Sequence, residues 1–293
     1  MLQKLHLELT TRCILSCPGC PRTWFADTLK RPVPKQDVDP EVFRKFLDCD
    51  SAKNVTHFRF ESNHGDPIYY PQLLEFLREW RGTKTFHLFT NGSRMSLEFW
   101  KNLNEILDHR DQITFSIDGL EDTNPVYRVN SDWESIMTGL SVMTRGPVRV
   151  NWKTVVFAHN QHQIKEIEKF AMQSGVDHFE LVNSNRHTET TKPDSAFIDV
   201  SRLYDRSHER TRITPQCDQG GQLYISADGY AWPCCWISSY YTLHKTALWK
   251  DREQLDITKN TLDQILEYQN QFAHNVAKDP QKAHGVCRMM CGS

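Results

Sequence analysis

Leu5, Leu7 and Leu9 are separated by polar residues, a period of two that predicts a strand over 5–10. Asp39 then stands as an N-cap before a helical pattern over Pro40–Leu47. The same alternation of short apolar runs and amphipathic stretches continues. Strands are expected at Val55–Phe60, Thr85–Phe89, Gln112–Ile117, Val148–Phe157 and Phe179–Val182. Helices are expected at Pro71–Trp80, Ser96–Leu107, Trp133–Met143 and Gln163–Gln173. Strands that alternate with helices imply a parallel sheet with crossover connections. Six such units are too few for a closed eight-stranded barrel. They suit an α/β fold of the partial, TIM-like (β/α)6 barrel kind, with its site at the C-terminal strand ends.

The pattern changes after Asn183. Residues 184–192 are polar and read as a linker, which divides the chain into expected domains at 1–190 and 191–293. Gln222–Ser226 alternates as a strand, Asp228-Gly229 is a strong hairpin turn, and Tyr230–Pro233 returns. A helix over Leu262–His274 follows, so the second domain is a small hairpin-plus-helix unit.

Composition narrows the function classes. The chain has 293 residues, 39% of them hydrophobic and 25% charged, with 35 basic against 37 acidic side chains. That balance leaves no electrostatic footprint for duplex nucleic acid. A local group of Arg78, Trp80 and Arg81 reads as an exposed helix end rather than a single-strand platform. No run approaches the roughly 18 apolar residues of a membrane span. The opening MLQKLHLELTTRC lacks an apolar signal core, so a cytoplasmic location is expected. Nine cysteines are many for that compartment, where disulfides are disfavoured, and their clustering points to metal. Cys49 stands apart and is expected on a helix, facing the interior.

Cys13, Cys17 and Cys20 have the spacing C-x3-C-x2-C directly after the first strand. Three thiolates in so short a loop can hold three corners of a [4Fe–4S] cube and leave one iron open, with a zinc loop or a group of core cysteines as the competing interpretations. RCILSCPGC in this position resembles the cluster loop of the radical S-adenosylmethionine (SAM) superfamily. Further segments resemble that superfamily in order and spacing. His64-Gly65-Asp66-Pro67 is similar to its Gly-Gly-Glu-Pro segment, which meets the SAM amino group, with Asp66 in place of glutamate. Thr90-Asn91-Gly92, Ser116-Ile117-Asp118-Gly119 near the ribose, Tyr127-Arg128 toward the SAM carboxylate, and Asn160 complete the resemblance. It implies SAM contacts from Gly65, Asp66, Pro67, Asn91, Ser116, Asp118, Arg128 and Asn160. Gly19 replaces the usual aromatic residue before the third cysteine, which leaves Trp24 or Phe25 to support the adenine.

Cys217 and Cys234 flank the hairpin, and Cys287 and Cys291 lie near the C-terminus. The arrangement resembles the twitch domain, a shortened relative of the SPASM domain. It implies one auxiliary [4Fe–4S] cluster ligated by these four cysteines, with Cys235 the alternative to Cys234. A structural zinc site is the competing interpretation of the same four thiolates.

The resemblance implies reductive cleavage of SAM to a 5′-deoxyadenosyl radical, hydrogen abstraction, and transfer of an electron to the auxiliary cluster. A small flavodoxin- or ferredoxin-like donor would supply the initiating electron. His64, His87, Lys153 and Glu180, on or just after strands, are candidate proton acceptors. The expected function is oxidative modification of a peptide by a maturase-like enzyme. The alternatives are a dehydrogenase acting on a sugar or cyclitol alcohol and a non-enzymatic, zinc-stabilised binding protein.

Overall fold

The computed structural model describes residues 2–182, 191–194, 212–215, 217, 222–239, 243–280 and 283–292. The expected linker at 184–192 therefore lies almost wholly outside the described residues. The chain forms two compact units that interleave in sequence. The first comprises 1–11, 34–63 and 206–293, and the second comprises 12–33 and 64–205.

The first unit holds strands β1 (Lys4–Leu7), β2 (His57–Phe60), β7 (Gln222–Ile225) and β8 (Ala231–Trp232). β1 pairs in parallel with β2, Leu5 opposite Phe58. On its other edge β1 pairs in parallel with β7, Lys4 opposite Gln222 and Leu7 opposite Ile225. The hairpin expected at Asp228-Gly229 is present, with β7 and β8 antiparallel. Gly229 takes φ of 82°, which explains glycine at that turn position. That the hairpin extends the sheet of β1 was not legible from local pattern.

Helix α2 (Pro40–Phe46) begins where expected, with the Asp39 carboxylate accepting the Glu41 and Val42 amides. Cys49 lies in a bend after this helix and is only half-buried, so it is not the interior helix residue expected. The helix stops at Phe46 because the Leu47 backbone already departs from helical geometry. Helix α10 (Leu262–Lys278) starts with a Thr261–Gln264 capping box and runs a turn beyond His274. The Cys287–Cys291 tail is itself helical, α11 (Gly285–Cys291), with His284 capping it.

The second unit carries β3 (Thr85–Thr90), β4 (Gln112–Ser116), β5 (Arg149–Val155) and β6 (His178–Val182), all parallel to their neighbours. Phe86, Leu88, Ile113, Phe115, Val150 and Trp152 are fully buried on one face. His87, Phe89, Ser116, Asn151 and Lys153 lie half-buried on the other. Helices α4 (Leu97–Ile106) and α6 (Trp133–Met143) cover the apolar face, capped by Ser96 and Asp132. They approach so closely that a Cβ on Gly139 would lie 2.4 Å from the Trp100 ring.

Arg81 is committed to structure. It pairs with Asp108 at 2.9 Å and with fully buried Asp111, and lies over the Phe86 ring. Asp111 also accepts the Phe86 and Asp108 amides at 2.8 Å each. The basic-aromatic group at 78–81 therefore has its central cation occupied. Among the described residues, no helix is long and apolar enough to cross a membrane.

Candidate active site

Cys13, Cys17 and Cys20 belong to the second unit, on the excursion 12–33 that leaves after Thr11. Cys20 directly precedes helix α1 (Pro21–Asp27), whose first residue is a proline. The sequence reading missed α1, although proline directly after a cysteine loop is a helix-start signal. The Ser16 amide donates to the Val129 carbonyl at 3.0 Å, and Cys20 N–H to the Cys17 carbonyl at 3.0 Å. Arg22 donates to the Leu15 carbonyl.

Leu15 and Cys17 are buried with Tyr127 and Phe157, and Cys13 and Cys20 pack against this cluster. Tyr127 and Phe157 stack at 4.0 Å, and His159 stacks on Phe157 at 5.3 Å. Burial pushes the Cys13 thiol up to about 12 and Cys17 to about 11, with Arg22 and Arg128 pulling both or one of them back. Such thiols stay protonated until a metal displaces the proton. Among the described residues no three His, Cys, Asp or Glu side chains already stand at metal-ligating distances. The donor set still fits an iron–sulfur cluster: three cysteines on one short loop, backed by an apolar wall.

The strand-end segments surround this loop but use many of their polar groups on each other. Asp66 is buried, and its amide donates to the Arg12 carbonyl at 2.9 Å. Burial holds its carboxyl up at about 6, while N–H groups of Asn91 and Ile68 pull it the other way. Pro67 follows, buried, in a short 3-10 turn over Pro67–Tyr69, and Gly65 is half-buried before it. Ser116 closes β4, half-buried.

Asp118 is fully buried. One carboxylate oxygen accepts the Val155 amide at 2.8 Å and the other accepts Arg128 Nε at 2.6 Å. Asn124 accepts the Asp118 amide at 2.9 Å. Gly119 must be glycine, because a Cβ there would meet the Asn124 backbone nitrogen at 2.6 Å. Asn160 donates to the Asp118 and Val155 carbonyls at 2.7 and 2.9 Å and accepts the Phe157 amide at 2.7 Å. Asp118 and Asn160 thus build the loop walls. Arg128, paired with Asp118, also acts electrostatically on the Cys17 thiol.

Of the candidate proton acceptors, His87 and Lys153 gather about Phe89. The His87 ring lies 4.1 Å from it, with Nε2 2.8 Å from Thr114 Oγ1, and Lys153 Nζ is 5.1 Å above it. Glu180 is exposed beside Lys153 across the β5–β6 ladder. His64 stands apart from them against Phe25, at 5.7 Å. Trp24 and Phe25, at 5.7 Å from each other, are both half-buried on α1.

In the first unit, the four remaining candidate ligands are set by regular structure. Cys234 directly precedes α8 (Cys235–Ser238), while Cys287 and Cys291 are four apart on α11 and so share a helix face. The Cys217 carbonyl accepts Gln269 Nε2 at 3.1 Å. Buried Gln269, on α10, is a residue that sequence reading missed; it looked like any helix-surface polar group. Burial, then Cys234, Cys217 and Cys291, push the Cys287 thiol up to about 12. Burial raises Cys234 to about 11, with Cys291 adding to it. Cys235 instead acts on Tyr224, whose hydroxyl donates to buried Glu8 at 2.7 Å.

No family model matches the sequence. The chain is 25% identical over 265 residues to the tungsten-containing aldehyde ferredoxin oxidoreductase cofactor-modifying protein of Pyrococcus furiosus, covering 80% of this chain and 71% of that one. Among solved structures it resembles Streptococcus suis SuiB bound to S-adenosylmethionine, with a TM-score of 0.60 and 13% identity, over 81% of this chain. The match spans only 61% of the SuiB chain. SuiB bound to the precursor peptide SuiA gives 0.63 at 12% identity, over 92% of this chain and 67% of that one. anSMEcpe with bound AdoMet and the Cp18Cys peptide gives 0.60 at 14% identity, over 98% of this chain and 88% of that one. The chain therefore has the fold of these radical SAM enzymes, and its cysteine loop, which resembles theirs, follows its first strand.

Proposed function

We propose that this radical SAM protein oxidatively modifies a peptide. The observation that carries the reading is the Cys13-Cys17-Cys20 loop packed on Tyr127 and Phe157 within a fold whose SuiB and anSMEcpe representatives are bound to peptides. Cys13, Cys17 and Cys20 would hold the first [4Fe–4S] cluster. When bound, that cluster and SAM supply a carbon-centred radical for hydrogen abstraction. Arg128 offers the SAM carboxylate a cation while its Nε stays on Asp118. Tyr127, Phe157 and His159 offer a ring stack beside the loop, and the apolar wall keeps water from the reacting atoms. His87 and Lys153 are the side chains best placed around Phe89 to take a proton.

Cys217, Cys234, Cys287 and Cys291 would hold one auxiliary cluster, fully ligated and therefore restricted to electron transfer. The association of Cys234 with Cys291 and Cys287, and of Cys235 with Tyr224, favours Cys234 as the ligand. A flavodoxin- or ferredoxin-like protein would deliver the electron.

The test is anaerobic reconstitution with iron and sulfide, followed by SAM and dithionite. Formation of 5′-deoxyadenosine, lost when Cys13, Cys17 and Cys20 become alanine, supports the reading. A colourless, zinc-containing chain that leaves SAM intact refutes it. Turnover of a sugar or cyclitol alcohol, with no precursor peptide modified, would replace the peptide by a small molecule.

A further inference from the structure

Asn91 follows β3, and both ends of its carboxamide have hydrogen-bond partners. Oδ1 accepts the Ser93 amide at 2.9 Å and lies 3.1 Å from the Tyr69 hydroxyl, whose one hydrogen also faces the Ser93 carbonyl at 2.8 Å. A backbone N–H only donates, so the carboxamide cannot be flipped. Nδ2 then carries two hydrogens. One goes to Asp66 Oδ2 at 2.6 Å, and the other faces Cys13 Sγ at 3.7 Å. Asp66 Oδ2 also accepts the Asn91 backbone amide at 2.7 Å, and its Oδ1 accepts the Ile68 amide at 3.2 Å. Asn91 is 4% exposed and Asp66 is 6% exposed, so both are held by packing as well as by hydrogen bonds.

We propose that Asn91 is a positioning residue whose side-chain N–H donates to the Cys13 sulfur and thereby raises the reduction potential of the cluster held by the Cys13-Cys17-Cys20 loop. This rests on the radical SAM reading above. Reduction adds negative charge that the ligand sulfurs share. An N–H aimed at one of them stabilises the reduced form more than the oxidised one. Asp66 serves as the orienting group. It is one methylene shorter than the glutamate of the segment it resembles, which suits a carboxylate turned onto Asn91 and the Ile68 amide.

The experiment uses the full chain, reconstituted anaerobically, and follows the EPR signal of the reduced cluster through a redox titration. The signal that changes on adding SAM identifies the cluster at this loop. Asn91→Leu keeps the side-chain size and removes the donor. Its midpoint is expected to be more negative than that of the native chain, at unchanged iron content. Equal midpoints with full iron content overturn the proposal and leave the radical SAM reading intact. If Asn91→Leu takes up no iron, Asn91→Ser replaces it, because its hydroxyl is too short to reach the sulfur, and the same two outcomes apply. Loss of iron from both variants assigns Asn91 to holding the loop and also overturns the proposal. A native chain without a SAM-sensitive iron signal sinks the parent reading and this one together.

Discussion

Replacing Arg128 by methionine tests whether the Asp118–Arg128 pair is structural as well as functional. Asp118 is fully buried, and its two carboxylate oxygens have one partner each: the Val155 amide and Arg128 Nε. Methionine fills much of the arginine stem but leaves the inner oxygen with no donor. Removing one partner of a buried pair costs about 3–5 kcal/mol. The Arg128 side chain is 19% exposed, so water reaches part of the gap and the lower end of that range applies. For a chain of this size each kcal/mol moves Tm by about 2–4 °C, so about 3 kcal/mol lowers it by roughly 6–12 °C. The assay is thermal unfolding of the anaerobic, metal-free protein by circular dichroism, repeated for Asp118→Asn with Arg128→Met. The double variant buries no unpaired charge, so it should recover at least half the loss. A single variant within about 1 kcal/mol of the native chain, or a double variant no better than the single, refutes the reasoning.

Asp66 predicts a pH dependence. Its folded carboxyl titrates at about 6 against an ordinary 3.8, so the folded chain binds more protons between these values. Its contribution therefore favours the folded state below pH 4 and is lost as pH rises through 6, in total about 3 kcal/mol. Denaturant midpoints of the metal-free protein should show this slope, and Asp66→Asn should remove it; identical slopes contradict it. Gly139→Ala drives a methyl into the Trp100 ring and should cost about 1–3 kcal/mol, read by the same denaturation; no loss would mean that α4 and α6 separate freely. Replacing Cys287 and Cys291 by serine should halve the iron bound on reconstitution while Cys235→Ser leaves it unchanged. Iron lost on Cys235→Ser but kept on Cys234→Ser would move the ligand from Cys234 to Cys235.

Much of the fold was legible because burial is periodic. Phe86, Leu88 and Thr90 alternate with Thr85, His87 and Phe89, and the structure buries the first set. Asp39, Ser96 and Asp132 cap helices through side-chain oxygens that the sequence displays openly. The pairing of β7 with β1 was not legible, because parallel partners are chosen by tertiary packing and leave no local mark. The cysteine positions were plain, but their supports were not. Asn91, Asp66 and Gln269 are ordinary polar letters until their neighbours are known. Asp118 and Asn160 were expected to face SAM. Their hydrogen bonds run inward because the loop backbone there has amides and carbonyls that nothing else satisfies.

The double pairing of β1 also sets an order of events during synthesis. Its partner β7 emerges from the ribosome more than two hundred residues after β1 itself. Until then one edge of β1 exposes unpaired amides and carbonyls, a hazard for any nascent chain. The segment 64–182 contains four strands and their covering helices, whose mutual pairings require nothing made later. It can therefore acquire structure while the strand that leads to the cysteine loop still waits for its second neighbour. The first unit is accordingly expected to close only once β7 has been made.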